Sequence, residues 1–292
     1  MDVGEIFERQ SYRHIFACLN TYLNSYAGDG QEISILDAGC GDGKLIMFLR
    51  GVLPELYPNF KFTFLGFDVN DHGVQEKGFL SNSIKNLVEK FPEDDWMQQI
   101  SIIGSGDDWV NAGSSIDFVL SNQVLEHVKD LQHFFSEVER VLKNGGVSIN
   151  LFPIGHNLVE PHLRIPFAHW IKSWDLMNLY IKIYVRARLK THNPASVSAD
   201  ERAESLADYL LFNTRYRTEK QLYEISKACD LRASFRFSSE FYSGKIRSLF
   251  GMKSVTLYQS RKRATFDAIS IKFLRYVSNV TLCLEKKNTY QR

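Results

Sequence analysis

Asp37, Gly39, Gly41 and Gly43 are the residues of this 292-residue chain whose types and spacing most plainly serve chemistry. They belong to the run Ser34-Ile-Leu-Asp-Ala-Gly-Cys-Gly-Asp-Gly-Lys-Leu45, an apolar strand that closes on a carboxylate and three alternate glycines. Glycine lets the backbone turn sharply and lets a ligand approach without meeting a Cβ. A helix starting near Lys44 turns its unpaired amides toward the same spot, which suits a nucleotide-like ligand. The same glycines would equally serve a structural turn.

Later apolar runs end in further polar groups. Asp68 closes the run 61–68, 25 residues after Gly43, where a carboxylate can accept two hydrogen bonds from ribose hydroxyls. Gly104-Ser-Gly-Asp-Asp-Trp109 ends the next run. An acid there can accept from an adenine amine while Trp109 covers the ring face, although the Asp-Asp pair would also cap a helix.

These residues need elements to hold them. Apolar alternation predicts strands at 33–37, 61–68, 99–104, 116–121 and 146–152, and two more at 232–238 and 278–286. Helical spacing predicts helices at 3–26, 44–53 (ending before Pro54), 74–90, 130–143 and 167–190. Ser198 with Glu201, and Thr218 with Gln221, form capping-box pairs that start helices running to about Phe212 and Ala228. Regular alternation of strand and helix predicts an α/β fold, a mostly parallel sheet with helices on both faces.

At this point residues 30–152 resemble the class I S-adenosylmethionine-dependent methyltransferases. The resemblance rests on Leu36-Asp-Ala-Gly-Cys-Gly-Asp-Gly43, Gly66-Phe-Asp68, Ser121-Asn-Gln-Val-Leu-Glu-His127 and Leu142-Lys-Asn-Gly-Gly146, in the family's order. The chain is most similar to the branch that includes quinone-biosynthesis methyltransferases, and more loosely to those of surface-polysaccharide synthesis. The resemblance implies a Rossmann-like sheet of seven strands, the last antiparallel, with S-adenosylmethionine as cofactor. It implies that Asp37, Gly39 and Gly41 line the methionine and ribose, and that Asp68 and Val69 meet the ribose. Gly106, Asp107 and Asp108 would lie at the adenine, and Asn122 and Gln123 near the sulfonium. His127 becomes the candidate catalytic base.

Past Pro153 the chain departs from the shared pattern. His156, Glu160, His162, Arg164 and His169 crowd one loop that is placed to bind the acceptor. Some small-RNA and quinone methyltransferases join Glu-x-x-Glu-His to a later histidine as a metal site, but Gln123 replaces the first glutamate here. No metal is expected. The domain plan is an N-terminal helix (1–30), a cofactor-binding core (31–153), an acceptor-binding cap (154–215) and the rest of the core (216–292), with a basic insertion at about 240–277.

Composition narrows the class. With 44% hydrophobic and 13% aromatic residues, the chain can bury a full core. The net charge is only +1, but eight bases against Asp267 in 245–276 favour an anionic partner. Bases also interleave with Trp170, Trp174 and Tyr184 in the predicted 167–190 helix, as in interfacial helices. The expected acceptor is a glycan or small-metabolite hydroxyl, lipid-linked or phosphorylated, methylated in the cytoplasm or at the inner face of a membrane. The rivals are an RNA methyltransferase and a silent cofactor-binding scaffold; no nucleic-acid-binding module accompanies the charge. Four cysteines without C-x-x-C spacing suggest buried thiols.

Overall fold

A computed structural model describes residues 9–25, 31–69, 79–189, 198–253, 255–258 and 264–287. The predicted helical residues 3–8 and 74–78, the linker residues 191–197 and residues 259–263 of the basic insertion lie outside them.

Seven strands form one sheet: β1 (Glu32–Ala38), β2 (Lys61–Val69), β3 (Ile100–Ile103), β4 (Ile116–Asn122), β5 (Leu142–Phe152), β6 (Leu231–Ser234) and β7 (Val280–Lys286). Their order is β3-β2-β1-β4-β5-β7-β6, a Rossmann-like arrangement. The pairs among β1 to β5 are parallel, and β7 runs antiparallel to both β5 and β6. The strand order reverses between β1 and β4, so loops leaving these two parallel strands run to opposite faces and open a crevice at their carboxyl ends.

Helices cover both faces. Those of the first half are α1 (Gln10–Leu23), α2 (Lys44–Leu56), α3 (Phe79–Lys90), the single turn α4 (Trp96–Gln99) and α5 (Leu131–Val141). They are followed by α6 (Trp174–Leu189), α7 (Ala199–Phe212), α8 (Glu219–Ala228), α9 (Ser238–Leu249) and α10 (Ala264–Leu274). Alternate residues of β1 serve opposite faces, as strand geometry requires. Ile33 and Ile35 are buried with α1 and α2, while Leu36 and Ala38 join the cluster built on α5. A third apolar cluster holds α6 against α7 through Met177, Ile181, Ala203 and Ala207. All four cysteines are buried free thiols.

Three expectations need correction. Helix α2 runs through Pro54 to Leu56 rather than stopping before it. In the last turn a proline forfeits one backbone bond, and buried Leu53 still anchors the end. Strand β6 ends at Ser234, not 238: Phe237 takes a left-handed conformation (φ 69°), and Ser238 turns its hydroxyl back to accept the Thr281 amide at 2.9 Å. The predicted 167–190 helix is a 3-10 turn (Ala168–Trp170), a break, and then α6. Phe167 at φ 56° and extended Ile171 interrupt it.

Candidate functional site

The carboxyl ends of β1, β2, β3 and β4 surround a cleft of about 410 Å³. Gly39 and Gly41 line it from the turn after β1, and Asp68 and Val69 from β2. Gly106, Asp107 and Trp109 enter from the turn after β3, and Asn122, Gln123 and His127 from the loop after β4.

The glycine turn is held from both sides. The amides of Gly39 and Cys40 both donate to the Phe67 carbonyl, each at 2.9 Å. Asp68 accepts the Gly41 amide at 2.7 Å on one oxygen and the Val69 amide at 2.7 Å on the other. Gly39 sits at φ 77°, and a Cβ there would lie 2.6 Å from a Val124 methyl, so the position admits no side chain. Asp37 is buried behind this turn rather than lining the cleft. Burial, reinforced by the charges of Asp68 and Asp42, pushes its carboxyl up to about 8. Such a group favours a cationic neighbour, which would return it to the ionised form.

At the other end, Asp107 accepts the Gly104 amide at 2.8 Å and closes its own turn. The Trp109 ring is buried, with centroids 4.8 Å from Phe67 and 5.0 Å from Phe134. Its backbone amide donates to Glu137 at 2.6 Å. Asp108 points to solvent, 3.9 Å from His133, and is off the cleft lining. Gln123 adopts φ 60° and donates its backbone amide to the Leu151 carbonyl at 2.8 Å. That turn sends the following residues back across the mouth of β4.

There the loop after β5 meets the loop after β4. His127 Nδ1 lies 2.7 Å from the Asn213 carbonyl. A carbonyl only accepts, so Nδ1 carries the proton and Nε2 of the neutral ring is left as an acceptor. His162 lies beside it, ring centroids 5.3 Å apart. Its Nδ1 is 2.8 Å from Glu160 Oε1 and its Nε2 is 3.7 Å from Glu126 Oε1. Burial alone would lower this histidine, but the facing carboxylates of Glu126 and Glu160 outweigh it and raise it to about 9. The imidazolium, Glu160 and Tyr216 bond to one another, and the Leu163 amide donates to the second Glu160 oxygen at 2.5 Å. For Glu160 too, burial is outweighed by these partners, which hold its carboxyl below the ordinary range.

A family profile described as "Methyltransferase domain" matches residues 9–191, more than half of the chain. The chain belongs to that family. The methyltransferase is an enzyme, and its cofactor is S-adenosylmethionine. Among solved structures it is similar to Haemonchus contortus phosphoethanolamine N-methyltransferase 2 in complex with S-adenosyl-L-methionine (14% identity, TM-score 0.47), with 95% of this chain and 52% of that one covered. The chain thus spans about half of that protein. It is also similar to the geranyl diphosphate C-methyltransferase of Streptomyces coelicolor A3(2) (12% identity, TM-score 0.46), over 96% of this chain and 76% of that one. A third match, at 14% identity and a TM-score of 0.44, is to a complex of the Haloferax volcanii Trm112 methyltransferase activator with a methyltransferase, over 96% and 92%.

The methyltransferase cleft suits its cofactor on its own geometry: Gly39 and Gly41 line it at the turn after β1, and the Asp68 carboxylate stands at its edge. The loop residues predicted to bind acceptor separate into inner and outer groups. Glu160 and His169 are buried and His162 is half-buried, whereas Arg164 is exposed at a hairpin tip with φ 57°. His156 packs against Tyr276, ring centroids 6.0 Å apart. Glu126, His127 and His162 place ligating atoms within 4.8 Å of one another, a set able to hold a divalent metal ion. Tyr209, Tyr216 and Arg217 escaped sequence reasoning. Arg217 donates to the carbonyls of Leu125, Val128 and Lys129, bracing the loop that carries His127. It stands between two capping-box helices, and only its place beside Thr218 marks it in the sequence.

Proposed function

We propose that this methyltransferase methylates a hydroxyl of a glycan or small metabolite, with His127 taking the hydroxyl proton. When bound, the cofactor supplies a methyl group already activated on a sulfonium. Gly39 and Gly41 would hold its methionine portion, with Asp37 buried behind them, Asp68 its ribose, and Asp107 with Trp109 its adenine. A hydroxyl remains protonated at working pH and benefits from a base, unlike a free amine. The single observation behind this reading is His127, whose Nδ1 proton is fixed on Asn213 while its ring lines the cofactor cleft. Glu126 and the His162 imidazolium flank it, and His162, held charged, is not itself a proton acceptor.

The test is a His127→Gln variant assayed with a panel of glycan and phenolic acceptors. Turnover should fall about 10²- to 10⁴-fold while cofactor affinity is unchanged. Retained turnover would sink the assignment of the base.

A second reading has one observation in its favour. Glu126 is buried with neither carboxylate oxygen hydrogen-bonded among the described residues, facing His162, and both histidines have their Nδ1 already engaged. Such outer hydrogen bonds are what orient histidines as metal ligands. A metal-dependent enzyme acting on RNA would lose turnover on chelation and recover it with added Mn²⁺ or Zn²⁺. Full activity in chelator would remove this reading.

A further inference from the structure

Helix α10 is an apolar helix that the fold leaves largely uncovered. Of its described side chains only Ile271 is buried, and Phe266, Ile269 and Phe273 share one exposed face at spacings of three and four. Phe273 is 71% exposed.

This face continues into the loop that carries His162. The Leu158 amide donates to the Tyr276 carbonyl at 2.8 Å, joining the end of α10 to a tight hairpin. The hairpin is closed by the Val159–Pro166 bridge and by the Phe167 amide on the Leu158 carbonyl at 2.8 Å. Leu158, Val159, Phe167 and Trp170 are exposed along its outer side, Phe167 and Trp170 with ring centroids 5.1 Å apart, and Val277 is exposed beside it. The same hairpin turns His162 and Glu160 inward toward Glu126. The end of α9, the helix that packs on α10, carries Leu249, 85% exposed, and is followed by Phe250, 76% exposed.

Charge decides what covers this strip. Exposed bases lie on the same elements, Lys272 on α10, Arg164 on the hairpin and Lys253 after α9, and residues 245–276 hold eight bases against Asp267. An apolar strip rimmed by lysine and arginine matches the interface of an anionic bilayer, where rings settle at the headgroup level and bases meet lipid phosphates. Among the described residues no helix is long and apolar enough to cross a membrane, which leaves attachment in the plane.

We infer that the outer face of α10 and of the 158–170 hairpin docks on an anionic lipid surface, so that a lipid-linked acceptor reaches the His127 site from the bilayer. The origin of the acceptor rests on the function proposed above; docking itself does not, and is tested without turnover.

The full chain is sedimented with vesicles of phosphatidylglycerol and phosphatidylcholine, and with phosphatidylcholine alone. Binding should require the anionic lipid and weaken steeply with salt. Lys272→Ala should weaken it about fivefold, as expected for one base at a charged surface. Phe273→Ser with Val277→Ser should weaken it at least tenfold through lost apolar burial. Unchanged thermal unfolding and S-adenosylhomocysteine affinity would show these variants to be folded. Equal binding to neutral vesicles, or none to anionic ones, overturns the inference. So does a dimer in light scattering that the Phe273 and Val277 changes dissolve, since the strip would then be a contact between two copies. Docking without methyl transfer to any hydroxyl would leave the membrane face standing and refute the acceptor reading alone.

Discussion

The Asp68 carboxylate at the end of β2 accepts the Gly41 amide at 2.7 Å, so a residue of the second strand holds the glycine turn that follows the first. One side chain therefore shapes the turn and edges the cleft it encloses. Asp68→Ala should weaken S-adenosylhomocysteine binding by tenfold or more. A charge-assisted hydrogen bond contributes roughly 1.5 to 3 kcal/mol, and the ribose contact would be lost with it. Calorimetric titration reads this directly; an unchanged affinity would mean that the ribose lies elsewhere.

Gly39→Ala tests the close approach. The substitution adds a methyl 2.6 Å from Val124 at a φ of 77°. Left-handed backbone costs a non-glycine residue roughly 1 to 2 kcal/mol before any clash is counted. Thermal unfolding should show that loss or more, and Val124→Ala should restore only the part due to the clash. Full restoration would show that backbone conformation contributes nothing.

Asp37 gives the enzyme a pH dependence. Its carboxyl titrates at about 8 in the folded chain, raised by burial and then by Asp68 and Asp42. The folded state therefore binds a proton that the unfolded chain has released, so this group's stabilisation is complete below about pH 4 and is lost as pH rises toward 8. Asp37→Asn should flatten that decline in chemical denaturation. If Asp37 faces the cationic end of the cofactor, wild-type affinity should also rise from pH 6 to 8 and level off above, and the variant should show no such slope.

His162 is a base held charged, and its contribution fades in the same direction of pH. Glu126 and Glu160 overcome its burial and raise it to about 9, so its contribution to stability is present below its unfolded value near 6.5 and is lost as pH climbs through 9. Glu160→Gln should shift its proton resonance titration downward and destabilise the chain by roughly 1 to 3 kcal/mol through the buried partners left behind. A titration that stays near 9 would place the effect on Glu126 alone.

Much of the sheet is legible in the sequence because its signals are local. Ile33, Ile35 and Leu36 alternate into strand, and Ser198 with Glu201 and Thr218 with Gln221 do form the capping boxes their spacing predicts. The donor cleft is legible for the same reason, since each strand leaves its polar residue at its own carboxyl end. What escapes is what depends on distant chain. Nothing near Tyr216 or Arg217 announces that they touch Glu160 and Leu125. Nor does the apolar pattern at 232–238 reveal that Phe237 leaves the sheet, because buried aromatics suit a strand and a turn into a helix alike.

The bracing of the His127 loop by Arg217 makes that loop depend on chain far downstream. Arg217 meets Leu125 across 92 positions and Val128 across 89. Strands β1 to β5 can emerge from the ribosome and pair while the loop that carries His127 is still unsupported. The support of the His127 loop is complete only once Arg217, 89 positions beyond Val128, is in place.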